Sequence, residues 1–262
     1  MKKSKRLKKA NLQKGVYIIP NMFTSMNLFC GFYAMIAGIQ GMYHKAAIAV
    51  LVAGLFDNLD GKVARATHST SRFGVEYDSL ADLVSFGLAP GLVMYLWAMQ
   101  PFGRLGWLAA FLFVACGALR LARFNTQSGT VSSDHFVGLP IPAAAGMSMV
   151  TLLLYHRLGI VAPAYPIVVL IEMYVLSFLM VSNILYESFK KKELATKRNF
   201  NVLVAALLIL IFIATEPWIG LFLLGVVYVL SGPVASLLRH SKRLASKGAP
   251  EPEAEKRAEN KI

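Results

Sequence analysis

Long apolar runs alternate along the chain with short polar connections. Eight runs stand out: residues 18–42, 45–64, 74–99, 105–124, 139–156, 163–185, 201–215 and 218–238. A helix that spans a bilayer takes roughly 20 mostly apolar residues, at about 1.5 Å of rise each. The run 201–215 is short for a full span, and the Glu216-Pro217-Trp218 turn divides it from the eighth. Flanking residues must make up the difference there. The pattern predicts an all-α, polytopic integral membrane protein of about eight transmembrane helices. The connection from Arg65 to Arg72 is short and polar, so the second and third helices are expected to be antiparallel neighbours.

Composition agrees with the pattern. Hydrophobic residues make up 56% of the 262, charged residues only 16%, and mean hydropathy is +0.55. Soluble domains run at about 45–50% apolar and about 25% charged. A water-soluble globule and a disordered chain are both excluded. Cys30 and Cys116 sit in apolar runs, as buried cysteines do, and suggest no disulfide framework or zinc cluster.

Charge then adds orientation. The net charge is +13, from 27 Lys and Arg against 14 Asp and Glu. In a membrane protein such an excess reads first as topology, not as a nucleic-acid footprint. Of the 27 basic residues, 24 fall on connections of one side; the exceptions are Lys45, Arg104 and Arg157. Both termini are therefore expected on the cytoplasmic face of the cell membrane, with a basic arm over 1–17 and a solvated, irregular tail over 239–262. The arm does not read as a cleavable signal peptide. Trp97, Trp107 and Trp218 are expected as interfacial anchors. Glu172 is expected to find an interhelical partner, and the scattered histidines make no metal site.

The acidic residues carry the chemistry. Only five aspartates occur, and Asp57, Asp60, Asp78 and Asp82 crowd two adjacent predicted helices. Carboxylates at membrane depth are costly and mark a functional site by default. Asp57 and Asp60 are three apart and share one helix face. Gly74, Asp78 and Asp82, spaced by four, share another. One divalent cation or a pair would offset the mutual repulsion. Gly61, Ala64 and Gly74 fit either close approach of a ligand or small-residue helix packing. No internal repeat is visible, and the carboxylates lie toward one face, which weighs against a divalent-cation transporter.

Read in order, the segment is Asp57-x2-Asp60-Gly61-x2-Ala64-Arg65-x8-Gly74-x3-Asp78-x3-Asp82. It resembles the signature of the CDP-alcohol phosphotransferase family at every position. Eight fixed residue types at fixed spacing arise by chance on the order of once in a billion windows or fewer. Pro20-Asn21-x2-Thr24-x2-Asn27-Leu28-x2-Gly31, Leu119 to Asn125 and Gly138 to Gly146 are similar to the serine-using branch of that family.

The resemblance implies a six-helix catalytic core over 18–185, followed by two further helices over 186–238. It implies transfer of the phosphatidyl group from CDP-diacylglycerol to the hydroxyl of L-serine, with release of CMP. Glycerol 3-phosphate or inositol would be the alternative acceptors. It implies Mg²⁺ or Mn²⁺, as a pair of ions held by Asp57, Asp60, Asp78 and Asp82, with Asp82 also the general base. Gly61, Ala64, Arg65 and Gly74 would line the nucleotide pocket, with Asn21, Thr24 and Asn27 beside it. Those three also suit helix capping or interhelical bonding. Arg120 and Arg123 suit an acceptor carboxylate or phosphate, and equally suit anchoring at the membrane surface. A homodimer and a cytoplasmic active site complete what the family likeness implies.

Overall fold

The computed structural model describes residues 18–67, 71–127, 135–160, 166–187 and, toward the C-terminus, 204, 207, 211, 212 and 214–247. Among these, seven continuous helices follow one another: α1 Ile18–Ile39, α2 Tyr43–Ala66, α3 Arg72–Phe102, α4 Arg104–Gln127, α5 Ile141–Arg157, α6 Pro166–Val181 and α7 Pro217–Lys247. Four of them, α1, α3, α4 and α7, are long and apolar enough to cross a membrane. The chain is thus a helical membrane protein.

The first six expected runs coincide with α1 to α6, and the eighth with α7. Most of the seventh run, the arm 1–17, the basic connection 190–198 and Asp134 lie outside the described residues. Two expectations need correcting. The last helix continues to Lys247, so the tail is helical well past residue 238. The architecture also includes one small strand pair, β1 His135–Val137 against β2 Leu185–Glu187, antiparallel with Phe136 opposite Tyr186. Three-residue strands are too short for periodicity to reveal.

The helices turn small residues inward and large ones outward. Ala34 and Ala37 of α1 and Ala46, Ala47 and Ala53 of α2 are fully buried. Met22, Met26, Phe29, Tyr33 and Ile36 line the outer face of α1. This inverts the soluble pattern. Lipid is as apolar as a side chain, so packing depends on close approach rather than on escape from water. Gly31 shows how close: a Cβ there would lie 2.6 Å from the Ser85 Cα of α3. Deeper in the bundle Phe86, Met94, Phe113, Ile141, Met149, Leu153 and Met173 fill a dry core.

α3 runs through the middle and is not a uniform α-helix. Wide π turns occupy Leu83–Leu88 and Tyr95–Met99. Each runs up to a proline, Pro90 and Pro101. A proline lacks the N–H that the preceding turn would use and crowds the carbonyl four residues back, so the turn widens. Asp82 immediately precedes the first wide turn. Such π bulges are common at functional sites.

Polar ties mark the two ends of the bundle. At the α1 start, Gly138 donates its N–H to Ile184 O at 2.8 Å, and Arg123 Nη2 donates to Asn183 Oδ1 at 2.9 Å. At the opposite end Arg157 pairs with Glu216 at 3.0 Å, and the His44 and His156 rings lie 4.5 Å apart. Glu172 does find a partner across helices, the Thr151 hydroxyl at 2.8 Å from Oε1. Trp107 is half-exposed as an anchor would be, but Trp97 is buried, edge-on to Tyr155.

Gly138 and Gly159 both have positive φ, +80° and +73°. A Cβ at Gly138 would overlap the Met180 carbonyl, whereas at Gly159 it would meet nothing within 4 Å. Left-handed backbone costs a residue with a Cβ roughly 1–2 kcal/mol. Gly159→Ala should lower the unfolding temperature in detergent by that conformational cost alone. Gly138→Ala should lower it clearly further, because the ribbon must also shift.

Candidate active site

The four aspartates converge as the spacing predicted. Asp57 and Asp60 come from the last turns of α2, and Asp78 and Asp82 from the first part of α3. Asp57, Asp60 and Asp78 each present a carboxylate oxygen within 4.8 Å of the others. Asp82 stands beside them, within side-chain hydrogen-bonding reach of Asp57. Asp60 and Asp82 are almost fully buried, at 5% and 8% exposure. At about 1.5 Å per residue, Asp82 is roughly 15 Å along α3 from Arg72.

Among the described residues no Lys or Arg makes an ion pair with any of the four; the ion pair that exists, Arg157 with Glu216, is at the far end. Two ionised carboxylates 4.8 Å apart repel by roughly 3–4 kcal/mol at an effective dielectric of about 20. A single hydrogen bond to a charged group returns only about 1.5–3 kcal/mol. Hydrogen bonds alone therefore cannot hold the cluster ionised. Asp78 Oδ1 is buried with no hydrogen-bond partner, so an acceptor is available at the centre. An all-oxygen, acidic, partly unsatisfied donor set fits a hard divalent cation such as Mg²⁺ or Mn²⁺.

α1 supplies the donors that orient these acids. The Thr24 hydroxyl lies 3.0 Å from Asp60 Oδ2, and Asn27 Nδ2 donates to Asp82 Oδ1 at 3.0 Å. Both side chains are buried. Their spacing of one turn presents one donor to each acidic helix. Ser85, from the π turn, donates its hydroxyl to the Asn27 carbonyl at 2.9 Å and fixes α1 against α3. The sequence signal for Ser85 is faint; only Gly31 opposite it hints at the close crossing.

A cleft of about 160 Å³ opens from the cluster toward the α1 start. Asn21 and Thr24 line it from α1, Asp60, Gly61, Ala64 and Arg65 from α2, and Gly74 and Asp78 from α3. Gly61 and Gly74 keep its walls low. A Cβ at Gly74 would stand 3.2 Å from Ser71 Oγ and 3.6 Å from Asn21 Oδ1. Ser71 caps α3 by accepting from the Gly74 N–H at 3.0 Å. The helix thus starts two residues earlier than the apolar run from residue 74, at a serine of the type that caps helix starts. Arg65 is exposed at the cleft and makes no ion pair with a described carboxylate.

The two arginines of α4 part company. Arg123 is tied to Asn183. Arg120 turns inward, within electrostatic reach of Asp82, and its Nε is buried without a hydrogen-bond partner. Further along, Asn125 Nδ2 donates to Ser79 Oγ at 3.0 Å and joins α4 to the acidic helix. Ser79 and Tyr77, which contacts Ser25 Oγ at 2.8 Å, are supports that the spacing of the acids did not disclose.

Comparison with known proteins agrees with this geometry. The family model for CDP-alcohol phosphatidyltransferase matches residues 17–181. A Helicobacter pylori CDP-diacylglycerol–serine O-phosphatidyltransferase is 35% identical over 232 residues, 88% of this chain and 96% of that protein. A Bacillus subtilis protein of the same name is 36% identical over 173 residues, 66% of this chain and 92% of its own. An archaetidylserine synthase from Methanothermobacter thermautotrophicus is 37% identical over 170 residues, 64% of this chain and 69% of its own.

Thr24→Val keeps the shape but removes the hydroxyl beside Asp60. Supporting residues around metal ligands are worth about 10–100-fold in affinity. Mn²⁺ titration of the purified protein should show affinity about tenfold weaker in this variant and no measurable site in Asp78→Asn. Unchanged Mn²⁺ affinity in Asp78→Asn would remove the cluster as a metal site.

Proposed function

The chain belongs to the CDP-alcohol phosphatidyltransferase family, and on that premise we propose that it transfers the phosphatidyl group of CDP-diacylglycerol to the hydroxyl of L-serine, releasing CMP. The observation that carries the reading is the four-aspartate cluster, two members buried and two half-buried, from which Asp60 and Asp78 line a cleft. The names of relatives that match most of the chain support serine as the acceptor.

Asp57, Asp60, Asp78 and Asp82 would hold Mg²⁺ or Mn²⁺, as a pair of ions. When bound, such ions neutralise the substrate pyrophosphate and polarise its phosphorus. The remaining work falls to the chain. Gly61, Ala64 and Gly74 leave room for the nucleotide to lie against the backbone, with Asn21 offering a neutral polar contact. Arg65, at the cleft rim, meets the pyrophosphate charge. Thr24 and Asn27 hold Asp60 and Asp82 in place. The serine hydroxyl forms a bond to the phosphatidyl phosphorus, the bond from that phosphorus to the CMP oxygen breaks, and Asp82 takes the hydroxyl proton. Arg120, within electrostatic reach of Asp82, would meet an acceptor carboxylate; Arg123, tied to Asn183, supports the helix that carries it.

The protein on this reading has about eight spans, of which 18–185 form the catalytic core, and works as a homodimer. Both termini and the site face the cytoplasm of a bacterial cell membrane, where the substrate headgroup lies. The basic excess on that side supports the orientation.

The test is CMP release from CDP-diacylglycerol across serine, glycerol 3-phosphate and inositol, with and without Mg²⁺ or Mn²⁺. Serine with metal should give turnover, and the other acceptors little. Asp82→Asn should lower kcat by about 10²-fold or more while the protein remains folded. Full activity of that variant would sink the base assignment; turnover with glycerol 3-phosphate alone would change the acceptor.

A further inference from the structure

α7 lies beyond residues 17–181, the stretch that the family model matches. One side of it packs on the core. A Cβ at Gly225 would fall 2.7 Å from Met147 Sδ of α5, and one at Gly232 would overlap the Tyr186 ring. Val229 is buried on the same side. The opposite side carries Leu223, Val227, Leu230, Val234 and Leu237, all exposed. Spacings of three and four keep these on one face, which is the face turned to lipid.

Pro233 interrupts the helix beside the Gly232 contact. It has no N–H to give to the carbonyl four residues back, that of Val229. The buried Tyr186 hydroxyl donates to this carbonyl instead, at 3.1 Å. The strand pair thus holds α7 at the point where a proline would let it swing. Beyond it the helix runs on from Arg239 to Lys247, past the apolar stretch that ends at Leu238. Residues 239–247 include Arg239, Lys242, Arg243 and Lys247 and no Asp or Glu. By helical spacing, positions 239, 243 and 247 continue the side of Gly225, Val229 and Gly232. Positions 241, 244 and 245, which are Ser, Leu and Ala, continue the lipid stripe. The side that packs on the core therefore turns basic just past Tyr186, while the other side stays fit for lipid. The strand pair lies at the α1 start, so this change occurs at the end of the bundle where the aspartate cleft opens.

We propose that residues 234–247 form an interfacial arm that binds the headgroups of anionic phospholipids. A helix with one apolar face and an opposite face rich in Lys and Arg lies at a membrane surface, its apolar face in the acyl boundary. Here the preceding span already holds the segment at that surface, and the bond from Tyr186 fixes where it leaves the core. Each basic residue near an anionic surface adds to the attraction, which fades within a Debye length. A zwitterionic surface has no net charge for the basic side to meet, so charge selects the anionic lipids of that leaflet. The arm lies outside the transfer machinery, and the inference does not depend on the reaction proposed above.

Hydrogen exchange of the 239–247 amides tests this on the purified full-length protein in lipid nanodiscs. Discs of phosphatidylcholine alone are compared with discs in which a third of the lipid is phosphatidylglycerol. Exchange should be about tenfold slower in the anionic discs, and high salt should erase the difference. A variant carrying Arg239→Gln, Arg243→Gln and Lys247→Gln, with its unfolding temperature unchanged, should exchange alike in both discs. Equal exchange of the wild type in both discs would overturn the proposal, as would slowing that persists in the triple variant. Slowing in phosphatidylcholine discs on addition of inorganic phosphate alone would overturn the lipid as the partner.

Discussion

Four carboxylates gathered inside an apolar bundle, with no described lysine or arginine paired to them, are the constraint on which the rest of the structure depends. Their repulsion exceeds what the neighbouring hydroxyl and amide can return. The scaffold must hold them together regardless, and a divalent cation is the group whose charge matches the deficit. Much of the architecture follows from this requirement. α2 and α3 carry the acids, and α1 lies across both to reach them with Thr24 and Asn27. The wide turn after Asp82 lets Ser85 lock α1 in that position.

Close packing makes such a scaffold possible in lipid. Alanines fill the α1–α2 contact, and Gly31 lets α3 approach so near that no larger residue fits. Without water to drive apolar burial, these contacts and a few buried hydrogen bonds supply the rigidity. The site is accordingly built on helices and not on loops, and its cleft opens beside Arg65 and Ser71, at the α2–α3 connection.

Much of the site was legible in the sequence because helix periodicity converts spacing into placement. Aspartates three or four apart must share a face, and a short polar connection must return the chain beside itself. What escaped was whatever depends on contacts between distant segments. Thr24 and Asn27 read first as nucleotide contacts, with helix bonding as the alternative, until the structure set them against Asp60 and Asp82. Arg120 and Arg123 were indistinguishable by position, yet one turns to the acids and the other to Asn183. Trp97 carries the composition of an interfacial anchor but packs inside, edge-on to Tyr155. The π turns and the short strand pair left no periodic trace. The prolines that end the π turns were visible, but their effect on α3 was not.

The central claim is that metal at the aspartates is what admits the nucleotide end of the substrate. Isothermal titration of CMP into the purified protein, with Mg²⁺ and then with EDTA, tests it directly. The account predicts saturable CMP binding with Mg²⁺ that disappears with EDTA and returns when Mg²⁺ is restored. Equal CMP affinity in both conditions would contradict it, because the carboxylates would then tolerate a phosphate with no cation between them.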